Sequence, residues 1–268
     1  MFTLPAESPR QRTSRRSRGV DAATDGPLSA AADWTPSRRA LLFGAGGAVA
    51  AGAAGALGTG AFGDDRDDGD GDAAGDPVST APTPPTPGDH RYATMGTGDA
   101  GLTVTYFGNW KCPHCAEFSA GFLQTLLTEY VVTGEVAVQF RNLTWTDGEP
   151  FLGADGPAAA RAGLAVWNVD PGSYWAYHEL VMGDQPPPEQ TWATADHLVA
   201  LAEEAGVSDP EIVRAAIEEG AYEERLRATT DAASAAGIRG VPMLVVGDTV
   251  VSPFAEESVR KAIDRRLN

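Results

Sequence analysis

Leu102-Thr103-Val104-Thr105-Tyr106-Phe107-Gly108-Asn109-Trp110-Lys111-Cys112-Pro113-His114-Cys115 is the stretch on which the fold turns. Residues 102–107 alternate apolar and β-branched side chains, the pattern of a strand. Gly108-Asn109 ends it. A helix is predicted to start at the cysteine motif, because Phe118, Phe122, Leu123, Leu126 and Leu127 recur at three- and four-residue spacing up to about Val131. Gly134 stops that helix, and residues 135–140 read as a second strand, parallel to the first by the crossover rule.

Downstream the period changes. Five segments near 157–168, 173–182, 191–205, 209–219 and 221–236 have helical spacing and are separated by Gly or Pro. Val241-Pro242 then introduces two short β-rich runs, residues 243–246 and 249–251, around Gly247-Asp248, which predicts a hairpin. A last helix is expected over about 255–267. Trp167, Tyr174, Trp175 and Tyr177 are read as core of the helical block, with a peptide groove as the other reading.

The chain has only two cysteines, and both are in Cys112-Pro113-His114-Cys115. No third cysteine exists to make a structural bridge, so beside an export signal the pair reads as redox chemistry. Cys112 is placed at the first turn of the helix, where unpaired N–H groups favour a thiolate. Pro113 suits that turn because its missing N–H costs nothing there. His114 and Lys111 are expected to add positive charge, His114 the more important at high salt. Cys115, one turn on, faces inward. Cys112 is thus the expected attacking sulfur and Cys115 the resolving one. A Cys112 pKa near 4 against about 8.5 unfolded would stabilise the reduced form by roughly 4 kcal/mol at pH 7, and raise the reduction potential by on the order of 90 mV.

Strand, CxxC, helix, strand, helical block, Val-Pro, hairpin and helix together resemble the DsbA family of disulfide oxidases. The resemblance covers residues 92–268. It implies an α/β, thioredoxin-like fold at 91–268, with a helical insertion at about 150–237 between the βαβ half and the C-terminal hairpin and helix. It also implies a cis bond at Val241-Pro242 facing the disulfide, with the Val241 backbone free to pair with an extended substrate. The family often carries a buried acid in the strand before the motif. Here that strand has none, Tyr106 stands in the corresponding place, and Glu117 belongs to the helix. The proton route to Cys115 is left open.

The expected function is an extracytoplasmic disulfide oxidase that passes its Cys112–Cys115 disulfide to exported protein thiols. A membrane redox partner would reoxidise it, and no cofactor or metal is expected. A reductase would need electrons outside the cell, and an isomerase an added dimerisation region. A metal-binding protein joining His178 and His197 to the cysteines is a further reading without supporting spacing, and a non-enzymatic binding module is another.

Upstream, Ser37-Arg38-Arg39-Ala40-Leu41-Leu42-Phe43 opens an Ala/Gly-rich apolar run to Phe62. Paired arginines before a weakly apolar segment resemble a twin-arginine export signal, making 1–62 a leader. It is either cleaved, for instance near Ala54-Gly55-Ala56, or kept as an anchor over 40–62. Residues 63–90 read as a disordered acidic and Pro-rich linker. From Asp64 onward there are 33 acidic and 13 basic residues, a net of −20 within a chain of net −17. That surface repels nucleic acid and anionic lipid. The charge balance, with only two lysines (Lys111 and Lys261), resembles proteins of salt-loving archaea.

Overall fold

The computed structural model describes residues 76–268. The proposed leader and the acidic stretch up to residue 75 lie outside the described residues. Among those described, no helix is long and apolar enough to cross a membrane.

β1 (Thr94–Met95), β2 (Leu102–Gly108), β3 (Val136–Asn142), β6 (Met243–Val246) and β7 (Thr249–Val251) form one sheet in the order β1-β3-β2-β6-β7. β2 and β3 are parallel, with Tyr106 opposite Phe140, as the crossover rule predicts. β6 runs antiparallel to β2, with Phe107 opposite Met243. Gly247 turns the β6–β7 hairpin with φ +62°, while Asp248 keeps a negative φ, the pattern of a two-residue turn with glycine in first place. β4 (Trp145–Thr146) and β5 (Glu149–Pro150) make a separate hairpin whose Asp147-Gly148 turn has both φ values positive. Asp147-Gly148 is a strong turn signal, but strands of two residues each carry no legible period around it.

β2 alternates until its end. Val104 and Tyr106 enter the main core, and Phe107 enters a second cluster with Leu143, Ala233 and Ile238 on the opposite face. The strand is thus covered on both sides just where the cysteine motif begins. The helix after it is interrupted: α1 (Pro113–Phe118), a wider π-helical turn at Ser119–Leu123, α2 (Gln124–Leu126) and a second such turn at Leu127–Val131. The break sits at Gly121, whose φ of −117° and ψ of −108° are not helical.

The insertion is α3 (Gly156–Val169), α4 (Tyr174–Gly183), α5 (Ala195–Glu204), α6 (Glu211–Glu218) and α7 (Glu223–Ala235), and α8 (Glu256–Leu267) closes the chain. Each expected helix is present, with ends within a few residues. Trp167, Tyr174, Trp175 and Tyr177 are buried in the core. α3 lies directly on Trp110: a Cβ on Gly163 would sit 2.5 Å from the indole ring.

The linker expectation needs correction at its C-terminal end. Residues 76–90 pack on the domain. Val78 is fully buried and Ala81 nearly so. The Gly96 N–H donates to the Pro82 carbonyl at 2.8 Å, and Trp167 Nε1 donates to the His90 carbonyl at 2.8 Å. Composition flagged Pro and Thr. It undervalued two isolated apolar residues and the ability of a Pro-rich segment to offer a carbonyl acceptor, as Pro82 does.

Candidate active site

Asn109 organises the approach to the motif. Its side-chain oxygen accepts from the Lys111 N–H at 2.8 Å, and its side-chain amide donates to the Leu143 carbonyl at 2.7 Å. Its own N–H points at the Cys115 sulfur, 3.4 Å away. Cys112 takes the N-cap position of α1 and Pro113 the first helical position. The Cys112 carbonyl accepts from the N–H groups of Cys115 (2.9 Å) and Ala116 (3.2 Å), which fixes the sulfurs on one turn.

The two thiols are free and unlike each other. Cys112 is 5% exposed, more sheltered than expected, and Cys115 is sealed off entirely. The Cys112 pKa is lowered to about 6. Hydrogen bonding from the Cys115 side chain is the main cause and burial opposes it, while the Cys115 and His114 N–H groups and the His114 ring help. Cys115 is pushed well above the usual thiol range by burial first, then by Cys112. At about 6 rather than near 4, Cys112 stabilises the reduced form by less than the roughly 4 kcal/mol expected from its sequence position.

Val241-Pro242 is cis. The Cys112 thiol approaches the Val241 carbonyl at 3.6 Å, so the loop 129 residues downstream meets the motif. His114 is exposed, pairs with Glu117 at 3.4 Å, and stands edge-on to Phe254 at 6.2 Å between ring centres. His114, Glu117, Val241, Pro242, Ser252 and Phe254 line an open cleft of about 450 Å³ beside Cys112. Phe254 was missed by the sequence reading. An aromatic 51% exposed beside a hairpin is visible only in three dimensions.

One expectation fails here, and one rival reading finds no support. Lys111 does not charge the sulfurs: its buried ammonium is paired with Asp155 and donates to the Gln190 carbonyl at 3.0 Å. The histidines do not join the cysteines. His178 lies in an aromatic cluster, its Nδ1 accepting from Trp110 Nε1 at 2.9 Å, and His197 pairs with Asp184 at 3.3 Å. Among the described residues no group of three or more His, Cys, Asp or Glu is placed to hold a metal.

A dithiol at a helix start, set against a cis-proline loop on a thioredoxin-like sheet, defines a thiol–disulfide oxidoreductase. Residues 89–265 match the family described as Thioredoxin, and the chain belongs to that family. It is 29% identical over 174 residues to disulfide bond formation protein D of Bacillus subtilis, covering 65% of this chain and 76% of that protein. The probable disulfide bond formation protein D of Bacillus anthracis is 29% identical over 175 residues, covering 65% of this chain and 77% of that protein. The crystal structure of oxidised BdbD from Bacillus subtilis superposes with a TM-score of 0.60 at 27% identity, covering 70% of this chain and 98% of that one. Chlamydia trachomatis DsbA shares the fold, with a TM-score of 0.56 at 23% identity, covering 65% of this chain and 90% of that one.

Proposed function

We propose that this protein is an extracytoplasmic disulfide oxidase. A client thiolate attacks Cys112 of the Cys112–Cys115 disulfide and Cys115 leaves. A second client thiol then displaces Cys112, and the protein is left as a dithiol. Clients are exported protein thiols, and a membrane redox partner restores the disulfide. The twin-arginine leader carries the domain across the membrane and is then cut or retained as an anchor. Pro113 and His114 tune the thiolate, and the Val241 backbone and Pro242 receive the client segment.

The observation that carries this reading is the inequality of the two sulfurs. Cys112, at about 6, is mostly thiolate at pH 7, while Cys115 is buried and pushed upward. A stabilised thiolate favours the dithiol and so makes the disulfide an oxidant. The similarity to proteins named for disulfide bond formation supports the same direction. The test is the reduction potential, by equilibration with glutathione buffers. A value near −120 to −180 mV supports an oxidase, and one near −270 mV makes the protein a reductase. Replacing Arg38 and Arg39 by Lys tests the leader; undiminished export would overturn the twin-arginine assignment.

A further inference from the structure

α4 carries one carboxylate among apolar and aromatic residues, Glu179. It accepts a hydrogen bond from Ser119 Oγ at 2.5 Å. Ser119 lies four residues after Cys115, one turn further along the same face of the helix. Glu179 Oε1 is 3.7 Å from His178 Nε2, and Asp76 of the N-terminal segment faces it from another side. The Tyr106 hydroxyl of β2 is fully buried and makes no hydrogen bond of normal geometry. Its neighbour is the Cys115 sulfur, and it senses the charges of Cys115, Cys112 and Glu179. A buried hydroxyl without a partner is costly and calls for an explanation, and a hydroxyl can donate one proton while accepting another.

We propose that Glu179 is the proton exchange partner of the Cys115 sulfur, with the Tyr106 hydroxyl between them. When a client thiolate attacks Cys112, the Cys112–Cys115 bond breaks and its electron pair passes to the Cys115 sulfur. Glu179 supplies the proton that makes Cys115 a thiol, and the carboxylate is reprotonated from solvent. In reoxidation Cys112 is in a mixed disulfide with the oxidant. The Glu179 carboxylate takes the Cys115 proton, the Cys115 thiolate attacks Cys112, and the oxidant's sulfur departs with the electron pair.

The surroundings suit the task. Burial, then the Asp76 carboxylate, push Glu179 up to about 8 against the opposing Ser119 hydrogen bond. That is close to the working range in which an acid–base group is most effective. His178 cannot quench it as a cation, because burial lowers that imidazole to about 3. With Nδ1 accepting from Trp110, its proton is assigned to Nε2, on the Glu179 side. The acid absent from the strand before the motif is thus provided by the helical insertion and set by a residue upstream of the domain.

This inference rests on Cys115 being the resolving sulfur. The test follows oxidation of the reduced full chain by glutathione disulfide between pH 5.5 and 9, separating formation of the Cys112 mixed disulfide from its resolution. In the unaltered protein resolution should rise with a midpoint near 8. Glu179→Gln and Tyr106→Phe should slow resolution by on the order of 10²-fold, and Glu179→Gln should lose that midpoint. Asp76→Asn leaves Glu179 in place and should move the midpoint to lower pH. Glu179→Gln with unchanged resolution, or Asp76→Asn with an unmoved midpoint, overturns the proposal. Glutathione found on Cys115 instead of Cys112 would overturn the cysteine assignment, and this inference with it.

Discussion

The Lys111 ammonium is buried against the Asp155 carboxylate, in the residue next to Cys112, and contacts neither sulfur. Burial pushes Asp155 up, but Lys111 and the N–H groups of Ala193 and Trp192 hold it below the usual carboxylate range. The backbone donors reach its other oxygen at 2.9 Å each. The pair therefore ties the loop before the motif to the insertion.

Breaking this pair should cost stability without altering the thiolate. Lys111→Met leaves Asp155 buried without its cation, held only by the backbone donors, and should destabilise by about 3–5 kcal/mol in denaturant unfolding. The Cys112 titration, followed by thiolate absorbance, should stay near 6, because the ammonium is engaged by Asp155 and Lys111 is not among the main causes of that shift. A midpoint raised by about one pH unit would mean that Lys111 acts on Cys112 after all.

The roles of the two sulfurs separate in single variants. With Cys115→Ala, mixed disulfides between Cys112 and client proteins should accumulate on non-reducing gels, since nothing resolves them. With Cys112→Ala they should be absent, because Cys115 is fully buried. Equal accumulation in both variants would refute the assignment.

The pH dependence of the dithiol follows from the shift of Cys112. Its folded value lies below the unfolded one, so its stabilising contribution is complete above about 9 and is lost as pH falls through about 6. Cys115 is shifted upward, so its contribution is present below its unfolded value and fades as pH rises above it. The Tm of the reduced form, measured relative to the oxidised one, should climb from pH 5 to about 8 and stop climbing above about 9. A difference that is flat from pH 5 to 8 would show that Cys112 is not held as a thiolate.

Gly163 is the point of contact between α3 and the indole of Trp110. Gly163→Ala should cost about 1–3 kcal/mol by overpacking, despite the better helix propensity of alanine. The near-UV circular dichroism of the tryptophans should change with it. A stabilised variant would mean that the two elements can separate freely.

Salt should matter to the whole domain. With a net of −20 from Asp64 onward, self-repulsion should erase the near-UV signal on dialysis to low salt, and molar salt should restore it. Full structure at low salt would remove the argument for a salt-adapted surface.

The sequence alone determined the strand before Cys112, the parallel strand after the helix, the five helical segments and the Val241-Pro242 hairpin. These follow from local period, Gly and Pro punctuation and one spaced cysteine pair, all readable within a few turns of chain. Only the tertiary structure decided where each polar group spends its charge. Lys111 meets Asp155 across 44 residues, Ser119 meets Glu179 across 60, and Cys112 meets Val241 across 129. No periodicity encodes those separations, and burial, which sets the proton affinities of Cys115 and Glu179, arises only when distant segments close over them. Glu179 carries no motif in the sequence beyond being the one carboxylate of an apolar helix. Its partners, Asp76 and Ser119, could be named only once the chain was folded.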